Sequence, residues 1–276
     1  MSFAASIIEY PSAGSSGVSP FGTRRLAPSY AVLAFDTLPL QMRGDTAPCF
    51  GIGIDQDGNK TLLGVWQLES DADWTIVWRD LHARGLDTAQ LVIADAGRHL
   101  ELPLAAAFPE AVWQPSLPSL IRQALARTDT RHRAGAQTVI RAILAAPNES
   151  AAWAQFEKLA RGRFAEMGDF WQARLPLLTA YFKLAPPARR FFTSFDAAAS
   201  LKAKLARRAT PLPKNARDDA AALQSALPVL AEIGPGWKVA PRLWSGARVY
   251  LRDLARAGRG PRPASWPKVE GTSPFV

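Results

Sequence analysis

The 276-residue sequence is poor in the side chains that usually form disulfides or zinc sites. It has a single cysteine, Cys49, which excludes an intramolecular disulfide, and no group of cysteine and histidine residues has the spacing of a zinc site. The three histidines, His82, His99 and His132, are scattered along the chain. We therefore interpret each of them as a surface or core side chain and not as a metal ligand or a general base.

Acidic residues and long apolar runs are also scarce. There are 24 Asp and Glu against 33 Lys and Arg, and the resulting net charge of +9 and pI of about 10.1 indicate a polyanionic partner. No apolar stretch reaches the ~18 residues that a membrane span requires. Residues 1–9 lack both the basic region and the apolar core of a signal peptide. We therefore expect a cytoplasmic protein that has no membrane span.

Two aspartates follow apolar runs that are typical of buried strands. Asp36 closes the run 30–35, and Asp95 closes the run 91–94. Each carboxylate is thus expected where a strand meets solvent, a position from which it could bind one of two Mg²⁺ or Mn²⁺ ions about 4 Å apart. The alternative is that each aspartate is a turn former or a helix cap, which is a common role for Asp at the end of a strand. The two residues alone leave both interpretations open.

The order of the predicted elements is β-β-β-α-β-α-β. The turn 55–59 contains Asp57-Gly58, which favours a tight hairpin, and the helix after it has a potential cap at Ser70 and a stop at Gly85. The predicted strands are 30–36, 48–54, 60–66, 91–95 and 111–114, and the predicted helices are about 70–84 and 100–108. This order is that of an α/β protein with a ribonuclease-H-like core, which is built on a mixed five-stranded sheet.

The remaining chain is predicted to be helical. We assign a flexible segment to 1–29, the core to 30–116, a helical insertion to 117–183, C-terminal helices that complete the core to 184–257, and a disordered tail to 258–276. The insertion carries large apolar anchors, which we interpret as core residues and not as a surface for base stacking. They are Trp153, Phe156, Phe164, Phe170 and Trp171.

Several short stretches together resemble the Mutator-type DDE transposases of bacterial insertion sequences. None of them is specific alone, but their order and spacing from about Tyr30 to Leu254 match the family. They are Phe35-Asp36 with Met42-Arg43, Gly51-Ile52-Gly53-Ile54-Asp55-Gln56-Asp57-Gly58, Leu63-Gly64-Val65-Trp66 with Glu69-Ser70, Trp74, Arg84-Gly85-Leu86, Ala94-Asp95-Ala96, Phe108-Pro109-Glu110-Ala111, Pro186-Pro187-Ala188-Arg189-Arg190 and Arg242-Leu243-Trp244.

The resemblance implies a function in DNA transposition by two-metal strand cleavage and transfer. It implies that Asp36 and Asp95 are catalytic metal ligands for Mg²⁺ or Mn²⁺ and that DNA is the partner. It also implies that the two carboxylates lie within about 8 Å of each other, a gap that metal ions with bonds of just over 2 Å can span. The third ligand of the family is a glutamate on a later helix that faces the same pocket.

The sequence departs from the family at that third acid. With Arg190 and Ser200 held in register, Ala199 takes the place of the glutamate, and alanine has no oxygen to give a metal. Asp196 is a weak substitute, because three helical residues displace its carboxylate by about 4.5 Å along the axis and about 60° around it. We expect Asp196 to cap the helix instead.

Two further departures lie elsewhere. The cysteine and histidine that the family carries after the fifth strand fall on Ser116 and Ser119 when Arg122 is aligned with the arginine of the family. Before Tyr30 the sequence shows none of the helical DNA-binding elements of the family, so we expect a form that is truncated at its N-terminus. A transposase altered in these ways is expected to be catalytically impaired.

Basic residues after the lost glutamate suggest where DNA would bind. Lys202, Lys204, Arg207 and Arg208 follow Ala199 on one predicted helix, and together with Arg122 they are our candidate DNA-binding residues. The alternative is a solvated basic face without a ligand, which is common for each such residue taken singly.

Three functions stay open on the sequence alone. The first is a transposase-family protein whose catalysis is impaired at Ala199. The second is a non-catalytic DNA-binding regulator of a full-length transposase, which would act as a homo-oligomer or a hetero-oligomer with that protein. The third is a pseudogene product without a role.

Overall fold

The computed structural model describes residues 24–38, 48–66, 74–95, 100–160, 167–206, 219–233 and 236–257, together with Phe21, Leu68 and Phe164. Within these ranges the strands form one five-stranded sheet. They are β1 (Ser29–Thr37), β2 (Cys49–Ile54), β3 (Lys60–Trp66), β4 (Thr88–Ala94) and β5 (Val112–Pro115).

The helices follow β3 along the chain. They are α1 (Trp74–Ala83), α2 (Glu101–Ala107), α3 (Leu117–Ala126), α4 (Arg133–Ala145), α5 (Glu149–Ala160), α6 (Gly168–Gln172), α7 (Thr179–Phe182), α8 (Pro186–Ser194), α9 (Ala197–Leu205), α10 (Asp219–Ala231) and α11 (Pro241–Ala257). Short 3-10 turns lie at Thr130–His132 and Leu175–Leu178.

The sheet is mixed, and its spatial order is β3-β2-β1-β4-β5. β1 pairs antiparallel with β2, and β2 pairs antiparallel with β3, whereas β1, β4 and β5 are parallel. The expectation of an α/β protein with a mixed five-stranded sheet is therefore confirmed. Because β4 and β5 return to the sheet through α1 and α2, these helices cover one of its faces.

Both faces of the sheet are buried, as expected when parallel strands form its centre. On one face, Phe35 packs edge-on against Trp74 and Trp78 of α1, whose own rings stack 5.1 Å apart. On the other face, Val32 and Ala34 belong to a second apolar core that includes residues of α3, α4, α8, α9 and α11. The site described below lies at the edge of this second core.

Several residues of the family-like stretches have structural roles around α1. The buried Arg84 guanidinium donates to the Leu63 carbonyl at 2.7 Å and pairs with Asp80 at 2.7 Å, while the Trp66 indole donates to the same Asp80 carboxylate at 3.1 Å. Gly85 has a φ of +95°, a left-handed conformation that glycine adopts without strain and that ends the helix. These hydrogen bonds therefore connect the α1 region to β3 at the edge of the sheet.

The segment 117–183 is mostly helical, and its aromatic anchors lie in the core. Phe156, Phe164, Phe170 and Trp171 are buried, and Trp153 packs against them as a partly buried side chain. Further along the chain, α11 packs closely on α8, since a Cβ on Gly246 would lie 2.5 Å from the Pro187 carbonyl oxygen. The domain boundaries stay a prediction.

Some expectations fall outside the described residues. They concern the flexible segment before residue 21, the cap at Ser70, His99, the basic residues Arg207 and Arg208, and the tail 258–276. In the part of the chain that the structure describes, none of the helices combines the length and the apolar character that crossing a membrane demands.

Candidate functional site

Asp36 and Asp95 lie at neighbouring positions of two adjacent parallel strands. The register between β1 and β4 pairs Ala34 with Ile93, and continuing it by two residues brings Asp36 beside Asp95. Adjacent strands are about 4.8 Å apart, and residues two apart share a face of the sheet. Both carboxylates therefore lie on the face covered by α3, and each of them accepts hydrogen bonds from a side chain of that helix. The carboxylate separation of about 8 Å stays a prediction.

Arg122 on α3 bridges two carboxylates. Its Nη2 lies 3.1 and 3.4 Å from the two oxygens of Asp36, and its Nη1 donates to Oδ2 of Asp196. Asp36 also accepts a 2.8 Å hydrogen bond from the backbone N–H of Thr37. The Asp36 side chain is only 9% exposed, whereas the Arg122 side chain is 47% exposed. A cation that is partly open to solvent thus neutralises a nearly buried acid.

Burial dominates the electrostatics of Asp36. It raises the pKa of this carboxyl above its ordinary value, because the charged form loses solvation. The Arg122 guanidinium and the Thr37 N–H lower the pKa, and the nearby Asp196 carboxylate raises it. The charged form of Asp36 is therefore disfavoured even with an arginine beside it.

Gln123, the next residue of α3, donates hydrogen bonds to the second acid, Asp95. Its amide nitrogen lies 2.8 Å from each oxygen of Asp95, and the Ser119 hydroxyl lies 3.5 Å from Oδ2. The same amide is 3.3 Å from Ser119 Oγ. Consecutive residues of α3, Arg122 and Gln123, thus supply a donor to each strand-end aspartate. Sequence reasoning missed Gln123, and only its place beside Arg122 could have indicated it.

Asp196 caps α9, as expected from the sequence. Its backbone is extended, and Oδ1 accepts the N–H of Ala199 at 2.8 Å. Its other oxygen reaches Arg122, so the same carboxylate also belongs to the cluster that contains Asp36. Ala199 itself is exposed in the first turn of α9. The helix that carries position 199 therefore reaches the acid cluster through its cap, and the expectation that Ala199 faces the same pocket stays a prediction.

Ser116 and Ser119 have roles in the local structure. Ser116 caps α3, because its Oγ accepts the N–H of Ser119 at 3.4 Å, and Pro118 lies in the first turn, where proline is tolerated. Both serines are buried. The two positions thus fix the start of the helix that carries Arg122 and Gln123.

Lys60 at the start of β3 holds α9 from the other side, a contact that sequence reasoning also missed. Its Nζ donates to Ser200 Oγ at 2.6 Å and lies 5.5 and 5.4 Å from the ring centroids of Phe195 and Trp237. Burial lowers the pKa of Lys60 to about 8. The residues on both sides of Ala199 are therefore fixed, Asp196 by Arg122 and Ser200 by Lys60.

The side chains of this cluster do not fit a two-metal centre. Among the described residues, no three Asp, Glu, His or Cys side chains are grouped so that they could hold a metal ion. Both oxygens of Asp36 face a guanidinium, and both oxygens of Asp95 face an amide N–H. A divalent ion would have to displace these donors and would still lack an oxygen from position 199.

The other predicted site residues are placed as follows. Lys202 is exposed and Lys204 is half-buried, both in the last turn of α9, where a positive charge favours the helix dipole. Arg122, a candidate DNA-binding residue, is engaged by two carboxylates. His82 has a structural position, with Nδ1 2.7 Å from the Leu86 carbonyl oxygen. These placements leave their roles toward DNA as predictions.

Comparison with known proteins gives a consistent result. The sequence profile described as "Transposase, Mutator family" matches residues 7–240. A probable transposase for insertion sequence element ISRM3-like from Sinorhizobium fredii is 25% identical over 245 residues, which cover 85% of this chain and 61% of the relative. A probable transposase for an insertion sequence element from Corynebacterium diphtheriae is 28% identical over 213 residues, covering 73% and 62%. The chain thus spans about three-fifths of the length of these curated relatives.

Proposed function

Since the chain belongs to the Mutator family of transposases, as its motifs indicated, we propose that it binds insertion-sequence DNA without cutting or joining it. The observation that carries this proposal is the Arg122 bridge between Asp36 and Asp196, next to an exposed Ala199. The Arg122 guanidinium pairs with carboxylates at the place where the chemistry of the family requires metal ions. Ala199 provides no third acid.

We assign the sheet to the ribonuclease-H-like class within this proposal. The antiparallel strands β1, β2 and β3, followed by the parallel strands β4 and β5, support the assignment. The neighbouring positions of Asp36 and Asp95 at the ends of β1 and β4 support it as well. In an active member, Mg²⁺ or Mn²⁺ would activate the attacking oxygen and stabilise the leaving oxygen.

In this chain the acids act as acceptors that hold the structure together. Asp36 and Asp196 hold Arg122, and Asp95 holds Gln123. These contacts join the sheet and α9 to α3 at the acid cluster. The net charge of +9 attracts the DNA backbone, and association releases condensed counterions. In a cell with a full-length transposase, such binding would compete for the same DNA, which is the regulatory role that the sequence left open.

A fluorescence-anisotropy titration tests the binding. We expect the dissociation constant for insertion-sequence DNA to rise steeply between about 50 mM and about 200 mM salt, because each phosphate contact releases counterions. Replacing Lys202, Lys204, Arg207 and Arg208 together by alanine is expected to weaken binding and to flatten the salt dependence. No detectable DNA binding at low salt, or an affinity that salt does not change, would contradict the proposed function.

A further inference from the structure

A large groove shares helix α3 with the acid cluster. Its volume is about 1070 Å³, and α3, α4, α7 and α8 form its walls. α3 contributes Pro118 and Ile121 to the groove and Arg122 to the acid cluster, while α8 contributes Thr193 and leads directly to Asp196. Two helices, α3 and α8, therefore connect the groove to the acid cluster.

The charge of the groove has one sign. Among the described residues that line it, four are basic and none is acidic; the basic ones are Arg141, Lys183, Arg189 and Arg190. The side chains of Arg141, Lys183 and Arg190 are exposed, and the described part of the chain offers them no hydrogen-bond or ion-pair partner. Three cations thus line the groove without a counter-ion from the residues that the structure describes.

Arg189 builds the base of the groove. Its guanidinium donates to the carbonyl oxygens of Leu184, Ala146 and Pro147 at 2.9, 2.6 and 2.9 Å, and also to that of Phe182. These carbonyls satisfy its hydrogen bonds, but no carboxylate among the described residues neutralises its charge. One hydrogen-bonded cation and three exposed ones in the same groove favour a ligand with several negative charges.

The uncharged lining favours a strand over a duplex. Pro118, Ile121, Leu144, Pro147 and Pro186 give the groove apolar walls between the cations. In a duplex the base faces are stacked inside, and mainly phosphates meet a protein surface, whereas an unpaired strand exposes sugars and base faces beside its phosphates.

We propose that this groove binds unpaired nucleotides of a single DNA strand, with Arg141, Lys183 and Arg190 on the phosphates. The inference rests on the proposed DNA-binding function and adds the substrate form and the residues that hold it. The strand would run between α4 and α8 and approach the acid cluster along α3.

Anisotropy with a labelled single-stranded oligonucleotide and with the matching duplex tests the proposal. The triple variant Arg141→Ala/Lys183→Ala/Arg190→Ala should weaken single-strand binding on the order of tenfold and reduce the slope of log K against log salt by about 2–3. The control Arg25→Ala/Arg79→Ala/Lys158→Ala also removes two arginines and one lysine, but from exposed positions outside the groove. It should bind the single strand like the wild type.

A second pair of variants keeps all cations. Gln137→Glu places one negative charge among the lining residues with almost no change in shape, and it should weaken single-strand binding. Gln155→Glu, at a similarly half-buried position outside the groove, is its control. Far-ultraviolet circular dichroism is expected to be unchanged in all variants, because every altered side chain is exposed or half-buried.

Three results would overturn the groove assignment. The triple variant and its control could bind the single strand equally well, the duplex could lose as much affinity as the single strand, or poly-glutamate of equal charge could displace the strand as well as unlabelled DNA does. Each of these leaves wild-type DNA binding intact. A wild-type protein that binds no DNA would instead contradict the proposed function itself.

Discussion

At the scale of single residues, Arg122 determines the state of the acid cluster. It bridges Asp36 and Asp196, and the pKa of Asp36 is nevertheless raised by burial. Without the guanidinium, Asp36 would keep its desolvation and its repulsion from Asp196 but lose its neutralising partner. The resulting pair of like charges would be destabilising at neutral pH and would attract a cation.

Replacing Arg122 by glutamine tests this role. We expect Arg122→Gln to lower the free energy of unfolding at pH 7 by about 1 kcal/mol, a modest value because nearly half of the arginine is exposed. The loss should shrink as the pH falls toward 4, since the raised pKa of Asp36 means that it takes up a proton in the folded state first. Millimolar Mn²⁺ should recover part of the stability.

The matched control is Arg131→Gln, which removes an arginine from the exposed pair with Asp129. It should change stability by less than about 0.5 kcal/mol and give no response to Mn²⁺. Urea unfolding of both variants and the wild type at two pH values, with and without Mn²⁺, measures the change in stability, its pH dependence and its response to the metal. Equal behaviour of the two variants would show that the Arg122 bridge has no special role.

Lys60 gives a separate pH dependence. Its pKa is lowered from 10.5 to about 8 by burial, so between these values the unfolded chain binds more protons than the folded one. The stability that comes from the neutral form is complete above about 10.5 and is lost as the pH falls through about 8. The free energy of unfolding should therefore rise from pH 8 toward pH 10, apart from the contributions of other groups.

The variant Lys60→Met isolates this contribution. Methionine can still pack against Phe195 and Trp237, although it loses the cation–π contacts and the hydrogen bond to Ser200. Because it has no proton to lose, the stability of the variant minus that of the wild type should fall as the pH rises. Urea unfolding at pH 7.5 and pH 9.5 provides the comparison. A difference that stays constant between the two pH values would mean that Lys60 titrates normally in the folded protein.

At the scale of elements, close packing of α11 on α8 depends on one glycine. A Cβ at position 246 would lie 2.5 Å from the Pro187 carbonyl oxygen, far inside van der Waals contact with backbone. Gly246→Ala should gain about 1 kcal/mol of helix propensity but lose more from the forced separation of the helices. We expect a net loss of about 1–2 kcal/mol in urea unfolding, because overpacking costs about 1–3 kcal/mol.

The neighbouring substitution Ser245→Ala serves as the control for the helix itself. Ser245 is exposed on α11, so its replacement should change stability by less than about 0.5 kcal/mol. If Gly246→Ala is more stable than the wild type, α11 and α8 do not pack as closely as described.

The elements were predictable from local patterns, but the contacts between them were not. The apolar runs ending at Asp36 and Asp95 and the Asp57-Gly58 turn correctly indicated β1, β4 and the hairpin. The position of Asp196 correctly indicated a cap, because capping depends on residues only three apart. Local patterns fix local hydrogen bonds, and for these the sequence was sufficient.

Contacts between distant residues explain what the sequence could not reveal. Lys60 and Ser200 are 140 positions apart, and Arg122 is 86 positions from Asp36. Such pairs form only when the sheet and helices have packed, so no spacing in the sequence announces them. For the same reason Arg122 could be proposed as a DNA contact from its charge, while its two carboxylate partners remained hidden.

At the scale of the whole molecule, the chain combines a mixed five-stranded sheet with an acid cluster that its own side chains already contact. Its core buries both faces of the sheet, and its net charge of +9 suits a nucleic-acid partner. Arg122 pairs with the Asp36 carboxylate and Gln123 donates hydrogen bonds to Asp95, while the same helix contributes Pro118 and Ile121 to the basic groove. The central claim is therefore that DNA binding and DNA strand chemistry are separated in this protein.

A plasmid cleavage assay tests that claim most directly. The purified chain is incubated with supercoiled DNA that carries the ends of an insertion sequence, in Mg²⁺ and in Mn²⁺, and binding is followed in parallel by gel shift. We predict a shifted complex but no nicked, linear or joined product, both for the wild type and for Ala199→Glu. In that variant Arg122 still pairs with Asp36, and Gln123 still donates hydrogen bonds to Asp95. Product formed by the wild type and abolished by Asp36→Asn would contradict the account.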